Sequence, residues 1–279
     1  MRLGNLLRTT FLMALLTVLL VAAGYLLGGN TGMLIAFVFA VIINFGTYFF
    51  SDKIALAQYN AQPVGVFSPL YKKVEYLSKR ADLPTPGVYI VESSTPNAFA
   101  TGRNPSNSAV AVTTGLLNLL NEDELEGVLA HELAHIKNRD VLISTIAATF
   151  AGVITMAANM GRWVLIFRNN DDSSDLLGQL IMIIVAPIAA TLIQLAISRS
   201  REYDADATGA NICKKPWALA NALEKMSGVN KIKDPDPMFT ESSAHMMIIN
   251  PFKGSFINTL FSTHPSTEKR IEKLRNMRV

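Results

Sequence analysis

Four long apolar runs and several shorter mixed stretches alternate along the chain. The runs FLMALLTVLLVAAGYLLGG (11–29), MLIAFVFAVIINFGTYFF (33–50), VLISTIAATFAGVITMAANM (141–160) and LLGQLIMIIVAPIAATLIQLAI (176–197) contain no charged residue. Each is long enough, or nearly so, to cross a bilayer core about 30 Å thick. GNTG between the first two makes a tight turn, so the pair reads as a membrane hairpin. A cleaved signal over residues 1–25 is the competing reading. It is set aside because a second apolar run follows within a few residues. For the later pair the alternative is buried core helices, but both runs exceed the usual length of one. Pro187 predicts a kink in the last run.

The remaining stretches are polar or amphipathic. SPLYKKVEYLSKRADL (68–83) has helical periodicity. GVYIVES (87–93), NAFATG (97–102) and SAVAVTTG (108–115) read as three short strands separated by turn-rich STP and RNPSNS. Next, Asn121 precedes Glu122, Asp123 and Glu124, an N-cap with acid in the first turn. Leu125, Val128, Leu129, Leu133 and Ile136 then recur at helical spacing. Residues 198–213 are helix-compatible, and 216–228 begin with Pro and end with Gly. Residues 229–263 are irregular around DPDP, and 264–277 close with a helix. These elements predict an α+β fold, mainly helical with a small β-sheet, carrying two amino-terminal transmembrane helices and two further hydrophobic helices. The expected organisation is a hairpin over 1–52, a first polar part over 53–140, a hydrophobic hairpin over 141–197 that crosses the membrane, and a second polar part over 198–279.

Composition supports a membrane protein. Half the residues are apolar and only 17% are charged, far from the usual soluble mixture. A net charge of +3, with no arginine-rich stripe, is too weak to suggest a nucleic-acid partner, and none is expected. Cys213 is the only cysteine, which rules out an internal disulfide framework and a cysteine-built zinc site. Lys and Arg number eight in residues 51–140 and thirteen in 198–279, against two in the 161–175 loop and none in the turn at 28–32. Four spans would put both basic parts and both termini in the cytoplasm.

The chemistry is concentrated in GVLAHELAHIKNRD (127–140). The chain has four histidines, and two of them, His131 and His135, stand here four residues apart. On a helix that spacing sets both imidazoles on one face, where they can share a metal ion. Glu132 sits about 100° further round, placed to reach a water in the site without being a ligand. This is the H-E-x-x-H pattern of zinc metalloproteases. A catalytic zinc wants three protein ligands, and IKNRDV after His135 lacks the metzincin third histidine. The third ligand must come from a distant segment, and SRSREYDADA offers Glu202 and Asp206 on one helical face. One can bind metal while the other orients a histidine. An ordinary solvated cluster of Arg199, Arg201, Glu202, Asp204 and Asp206 is the alternative. A structural metal in a membrane-anchored binding protein is the rival function. It would want four protein ligands and would leave Glu132 without a task. A channel or transporter fits less well, because no ionisable residue interrupts the apolar runs.

HELAH followed by REYDADATGA looks like the gluzincin metallopeptidases. The order NAFATG, HELAH, two hydrophobic segments, SREYDADA, SAHMMIINPF and FSTHPSTEKRI, behind two amino-terminal spans, resembles the HtpX family of membrane proteases over nearly the whole chain. A related seven-span prenyl-protein protease type shares the zinc motifs, but this chain has too few spans for it. The resemblance implies a zincin-like catalytic domain holding one zinc ion per subunit. It implies a multi-pass endopeptidase of the bacterial inner (plasma) membrane that cleaves misfolded or damaged membrane proteins on the cytoplasmic side. By the same resemblance His131, His135 and Glu202 are the metal ligands, Glu132 is the catalytic acid/base, and Asp206 supports a ligand from behind. Asn97, Ala98, Phe99, Ala100, Thr101 and Gly102 are the edge strand that binds polypeptide in extended form. His264 is catalytic, helping to hold the tetrahedral intermediate, and Arg270 is its weaker companion. His245 ranks below His264 for that task, its expected role being structural.

Overall fold

The computed structural model describes residues 3–143, 199–230, 236, 238–239, 247–249 and 265–279. The first two apolar runs form one helical element, α1 (Leu3–Gln58), broken at Gly28 and Gly29. Gly29 has φ +58, a left-handed conformation that suits a residue without Cβ. The limbs fold back on each other. Asn44 Nδ2 donates to Thr17 Oγ1 at 2.8 Å and to Met13 O at 3.3 Å, a polar tie inside an apolar seam. The break comes at Gly28–Gly29, at the front of the expected GNTG turn, and Asn30 and Thr31 are already helical. The limb Gly28–Gln58 is long and apolar enough to cross a membrane, and the first limb has a shorter apolar core, Met13–Ala22. Phe37, Val38, Phe39, Ile42 and Phe45 are exposed along the long limb. Its last turns enter the polar part of the protein, where Ser51, Ala55, Leu56 and Tyr59 are buried.

A four-stranded sheet follows. β1 (Gln62–Pro63), β2 (Gly87–Val91), β3 (Ala98–Asn104) and β4 (Asn107–Thr113) lie in the order β1-β2-β4-β3. β2 and β4 are parallel, and the two outer pairs are antiparallel. The alternating SAVAV stretch explains the two covered faces. Val110 and Val112 join Val88 and Ala98 in the main core, while Ala109 and Ala111 face the other way with Val91, Phe99, Tyr59 and Phe239. Helix α2 (Pro69–Arg80) is capped by Ser68, whose side chain accepts from Tyr71 N. It sends Leu70, Val74 and Leu77 into the main core.

After α3 (Thr114–Leu119) comes α4 (Glu122–Asn138), the central helix. The Asn121 side chain accepts from Glu124 N, and Glu124 in turn accepts from Asn121 N, both at 2.9 Å. α4 is buried over nearly its whole length. Its covers are α5 (Arg199–Cys213), α6 (Pro216–Asn230), β3 and α2, and α7 (Thr267–Arg275) packs on α6 and α5. Gly209 lets α5 come close, since a Cβ there would lie 2.9 Å from His131 N. Lys215 bonds Asp123 at 2.8 Å and Glu126 at 2.7 Å, and Lys225 bonds Glu124 at 2.8 Å, fastening α6 to the first turns of α4. The closing helix starts later than its periodicity predicts, because Pro265 is non-helical and Ser266 is the cap. The expected hairpin over 141–197 lies outside the described residues except for 141–143.

Candidate active site

α4 and α5 bring three potential ligands to one point. His131 Nε2 and His135 Nε2 are 3.2 Å apart. The Glu202 carboxylate lies 3.7 Å from the first and 3.6 Å from the second. One ligand atom from each residue lies within 4.8 Å of the others. Two nitrogens bound tetrahedrally to one ion, at about 2.05 Å each, stand about 3.3 Å apart. The imidazole pair is already at that separation, so the three residues could hold a metal ion.

Each histidine has a carboxylate behind it. His131 Nδ1 is 3.0 Å from Asp206 Oδ1, and His135 Nδ1 is 3.5 Å from Asp140 Oδ2. An acid on the rear nitrogen fixes ring orientation and tautomer, leaving the forward nitrogen for a metal. α4 ends at Arg139 in the left-handed conformation, φ 60. The chain turns there, Asp140 N donates to His135 O at 3.0 Å, and the acid comes back beside the ring. Sequence reasoning missed Asp140. Its only signal was its place just past the helix end.

Arg270, expected only as a companion of His264, stands inside this cluster. It is 1% exposed, one of the most deeply buried large side chains among the described residues. Its Nε and Nη2 donate to the two oxygens of Asp206 at 2.9 and 2.7 Å, a two-pronged pair. Nη1 donates to Ile248 O at 3.1 Å and lies 3.4 Å from Glu202 Oε2. Nη2 also approaches His131 Nε2 at 3.4 Å. From α7, then, Arg270 reaches one candidate ligand from each of the other two helices, as well as the acid behind His131.

The electrostatics follow from burial and pairing. Burial pushes the Glu132 carboxyl above the ordinary carboxylate range, against the pull of His131 and His135. Burial would lower the His135 imidazole. The Asp140 hydrogen bond and the charges of Glu202, Glu132 and Asp140 outweigh it and push it up to about 9. Burial would raise Asp206, but Arg270 and His131 hold it low. Arg270 is kept charged against burial by Asp206, Glu202 and Glu132.

β3 is the sheet edge nearest this cluster. Thr113 N donates to Asn97 O, and the register sets Phe99 opposite Ala111 and Thr101 opposite Ala109. Bonded pairs alternate in an antiparallel ladder. The backbone groups of Ala98 and Ala100 therefore point away from β4, and the backbone of Ala100 hydrogen-bonds Glu132. Among the described residues no strand pairs with this outer edge. Asn97 is buried at the head of the strand, its Oδ1 accepting from Ile248 N at 3.2 Å. Phe99 and Thr101 turn inward, Thr101 donating to Ser51 O at 3.3 Å. Gly102, with φ +130, sits where the register shifts. His264 and His245 lie outside the described residues.

This arrangement meets its relatives in sequence. The profile of peptidase family M48 matches residues 67–278. A protein from Thermococcus sibiricus named Protease HtpX homolog is 55% identical, covering 99% of this chain and 97% of that one. One of the same name from Persephonella marina is 52% identical over 97% and 96%. The crystal structure of S. mikatae Ste24p superposes with a TM-score of 0.54 at 16% identity, covering 97% of this chain and 65% of that one. That likeness concerns the fold alone. With its buried HELAH helix, the downstream glutamate brought back beside it and full-length identity above one half to such relatives, the chain belongs to peptidase family M48, in its HtpX branch.

Proposed function

We propose that the chain is a zinc-dependent endopeptidase, anchored in the plasma membrane and acting on polypeptides at its cytoplasmic side. The convergence of His131, His135 and Glu202 beside Glu132 and an open strand edge supports this reading above any other observation. His131, His135 and Glu202 would hold the ion, and Asp206 and Asp140 would orient the two imidazoles. Zinc bound there supplies a Lewis acid, which lowers the pKa of water from about 16 to about 7 and polarises a carbonyl. An extended substrate pairs its backbone with the outward groups of Ala98 and with the Ala100 carbonyl, the Ala100 N–H already serving Glu132, which sets the scissile bond next to Glu132. Glu132 takes the proton of the attacking water and returns it to the leaving nitrogen. Burial raises its pKa above the ordinary carboxylate range, which favours its holding the proton it takes. His264 donates to the oxyanion that develops on the carbonyl, a contribution of about 3 kcal/mol in comparable sites. Backbone pairing reads little sequence, which suits an enzyme that removes misfolded or damaged membrane proteins.

The rival, a structural metal in a binding protein, leaves the buried Glu132 and the open edge unexplained. Casein hydrolysis by the detergent-solubilised protein separates the two. It is expected to stop with a zinc chelator and to resume when zinc is restored, and no hydrolysis by zinc-loaded protein would favour the rival. Glu202→Ala is expected to lose metal and activity together. Asp206→Ala should weaken metal binding by about 10–100-fold. Zinc content after dialysis against a mild chelator tells them apart, and the reverse result would exchange the two roles.

The site also constrains topology. His135 and Glu202 meet, so the chain between them crosses the bilayer an even number of times, two or none. The positive-inside pattern favours two. Single cysteines at Asn107, Asn170 and Asn230 in a Cys213→Ala background, labelled in intact cells with an impermeant thiol reagent, test this. Labelling at 170 alone is expected. Labelling at 107 and 230 but not 170 would invert the topology.

A further inference from the structure

Outside α1, the most exposed large apolar side chain among the described residues is Phe67, at 90%, and its neighbour Val66 is 49% exposed. They occupy the tip of a turn closed by Ser68 N donating to Gly65 O at 3.0 Å. The turn is held firmly. Val64 N donates to Val88 O at 2.9 Å on one side, and on the other Ser68 caps α2, with Pro69 as the first helical residue. A fixed turn that presents two adjacent apolar side chains to solvent has a cost in water, and it asks for an apolar partner.

The sheet register says where this turn points. Along α1, Phe49 O accepts from Arg103 at 2.9 Å, Ser51 O accepts from Thr101, and Tyr59 stacks on Phe99 with ring centroids 5.0 Å apart. α1 and β3 therefore run in opposite directions, and the carboxyl end of β3 lies toward the apolar limb. β4 is antiparallel to β3, β2 parallel to β4, and β1 antiparallel to β2. The start of β4, the start of β2 and the end of β1 thus share that end of the sheet. β1 pairs Pro63 with Tyr89 and continues through Val64 beside Val88, so the next residues, 65–67, project past the sheet toward the level of Phe49. That level has the marks of a bilayer surface. Arg103 lies 5.0 Å over the Phe49 ring and Lys53 lies 5.5 Å over the Phe50 ring, where the exposed apolar stretch of α1 ends. Aromatic rings with basic groups beside them are the usual furniture of that depth.

We propose that Val66 and Phe67 form a second membrane contact, inserting among the lipid headgroups of the bilayer that α1 crosses. This rests on the reading of α1 as a membrane span. Two attachment points on opposite edges of the sheet, α1 beside β3 and the turn after β1, fix the tilt of the sheet against the membrane. The open edge of β3 then stays at a set height, within reach of polypeptide that emerges from the lipid surface.

The test uses the full chain in vesicles of phosphatidylcholine and phosphatidylglycerol. Phe67→Cys, Ile42→Cys and Glu224→Cys variants are each labelled with an environment-sensitive fluorophore, Cys213 being buried. Ile42 and Glu224 are both exposed, one on α1 and one on α6. Lipids with a nitroxide near the headgroup should quench position 67 several-fold more than position 224. Lipids with a deep nitroxide should quench position 42. Quenching at 42 with none at 67 beyond that at 224 overturns the inference and leaves the span intact. No quenching at 42 removes the span itself. A change at 67 that requires added casein, or a second unlabelled copy, assigns the turn to substrate or to self-association and also overturns the proposal.

Discussion

Glu132→Gln is expected to lower peptide hydrolysis by about 10²–10⁴-fold, the range a general acid–base group contributes, while leaving zinc content and stability near those of the parent. The amide has almost the same shape as the carboxylate and keeps an oxygen that can accept from the backbone of Ala100. It cannot take or return a proton. Glu132 also differs from Glu202 in position, because the group that could hold a metal is His131, His135 and Glu202, without it. Parallel assays of casein cleavage and bound zinc decide the matter. A metal-replete variant with near-parental turnover would remove Glu132 from the chemistry.

Arg270→Ala is expected to be the most damaging single change to the structure. Its guanidinium pairs both oxygens of Asp206 and stands beside Glu202 and His131, all in the interior. Removing one partner from a buried ionic cluster costs about 3–5 kcal/mol, because the remaining charges stay unpaired in a poor solvent. In a protein of this size that is a fall in Tm on the order of 10 °C. Asp206 would lose the contact that orients it against His131, so metal affinity should fall by about 10–100-fold as well. Arg270→Lys should recover only part of both losses, since an ammonium is not a planar fork and cannot serve Asp206 and Ile248 O together. Thermal unfolding and zinc retention of the two variants give the answer. An alanine variant within about 1 kcal/mol of the parent would mean that Asp206 finds another partner.

The parts of the site that rest on local pattern were legible beforehand. The α4 helix announces itself through Asn121, its acidic first turn and the Leu–Val–Leu–Leu–Ile spacing, because caps and periodicity act within a few residues. His131 and His135 then share a face by helical geometry alone. The Glu202 and Asp206 pair could be placed on one face of α5, but the spacing did not say which acid stood at the front. That distinction depends on how α5 lies along α4, where Gly209 allows a close approach to His131. The sheet order was not legible. β3 comes between β2 and β4 in the chain yet lies outside both, and pairing between distant segments leaves no mark on the strands themselves. Nor did the periodicity of TEKRIEKLR distinguish the buried Arg270 from the exposed basic residues around it, and only the family resemblance singled it out. A charge in a helix reads as solvated until a carboxylate 64 positions away is shown to meet it.

That separation bears on biosynthesis. His131 emerges from the ribosome 139 residues before the guanidinium that reaches it. For about half of translation the nascent chain carries the HELAH helix with the Asp206 side still to come, or with Asp206 and Glu202 lacking this counter-charge. The Arg270–Asp206 pair at the back of the site can form only once α7 has been made.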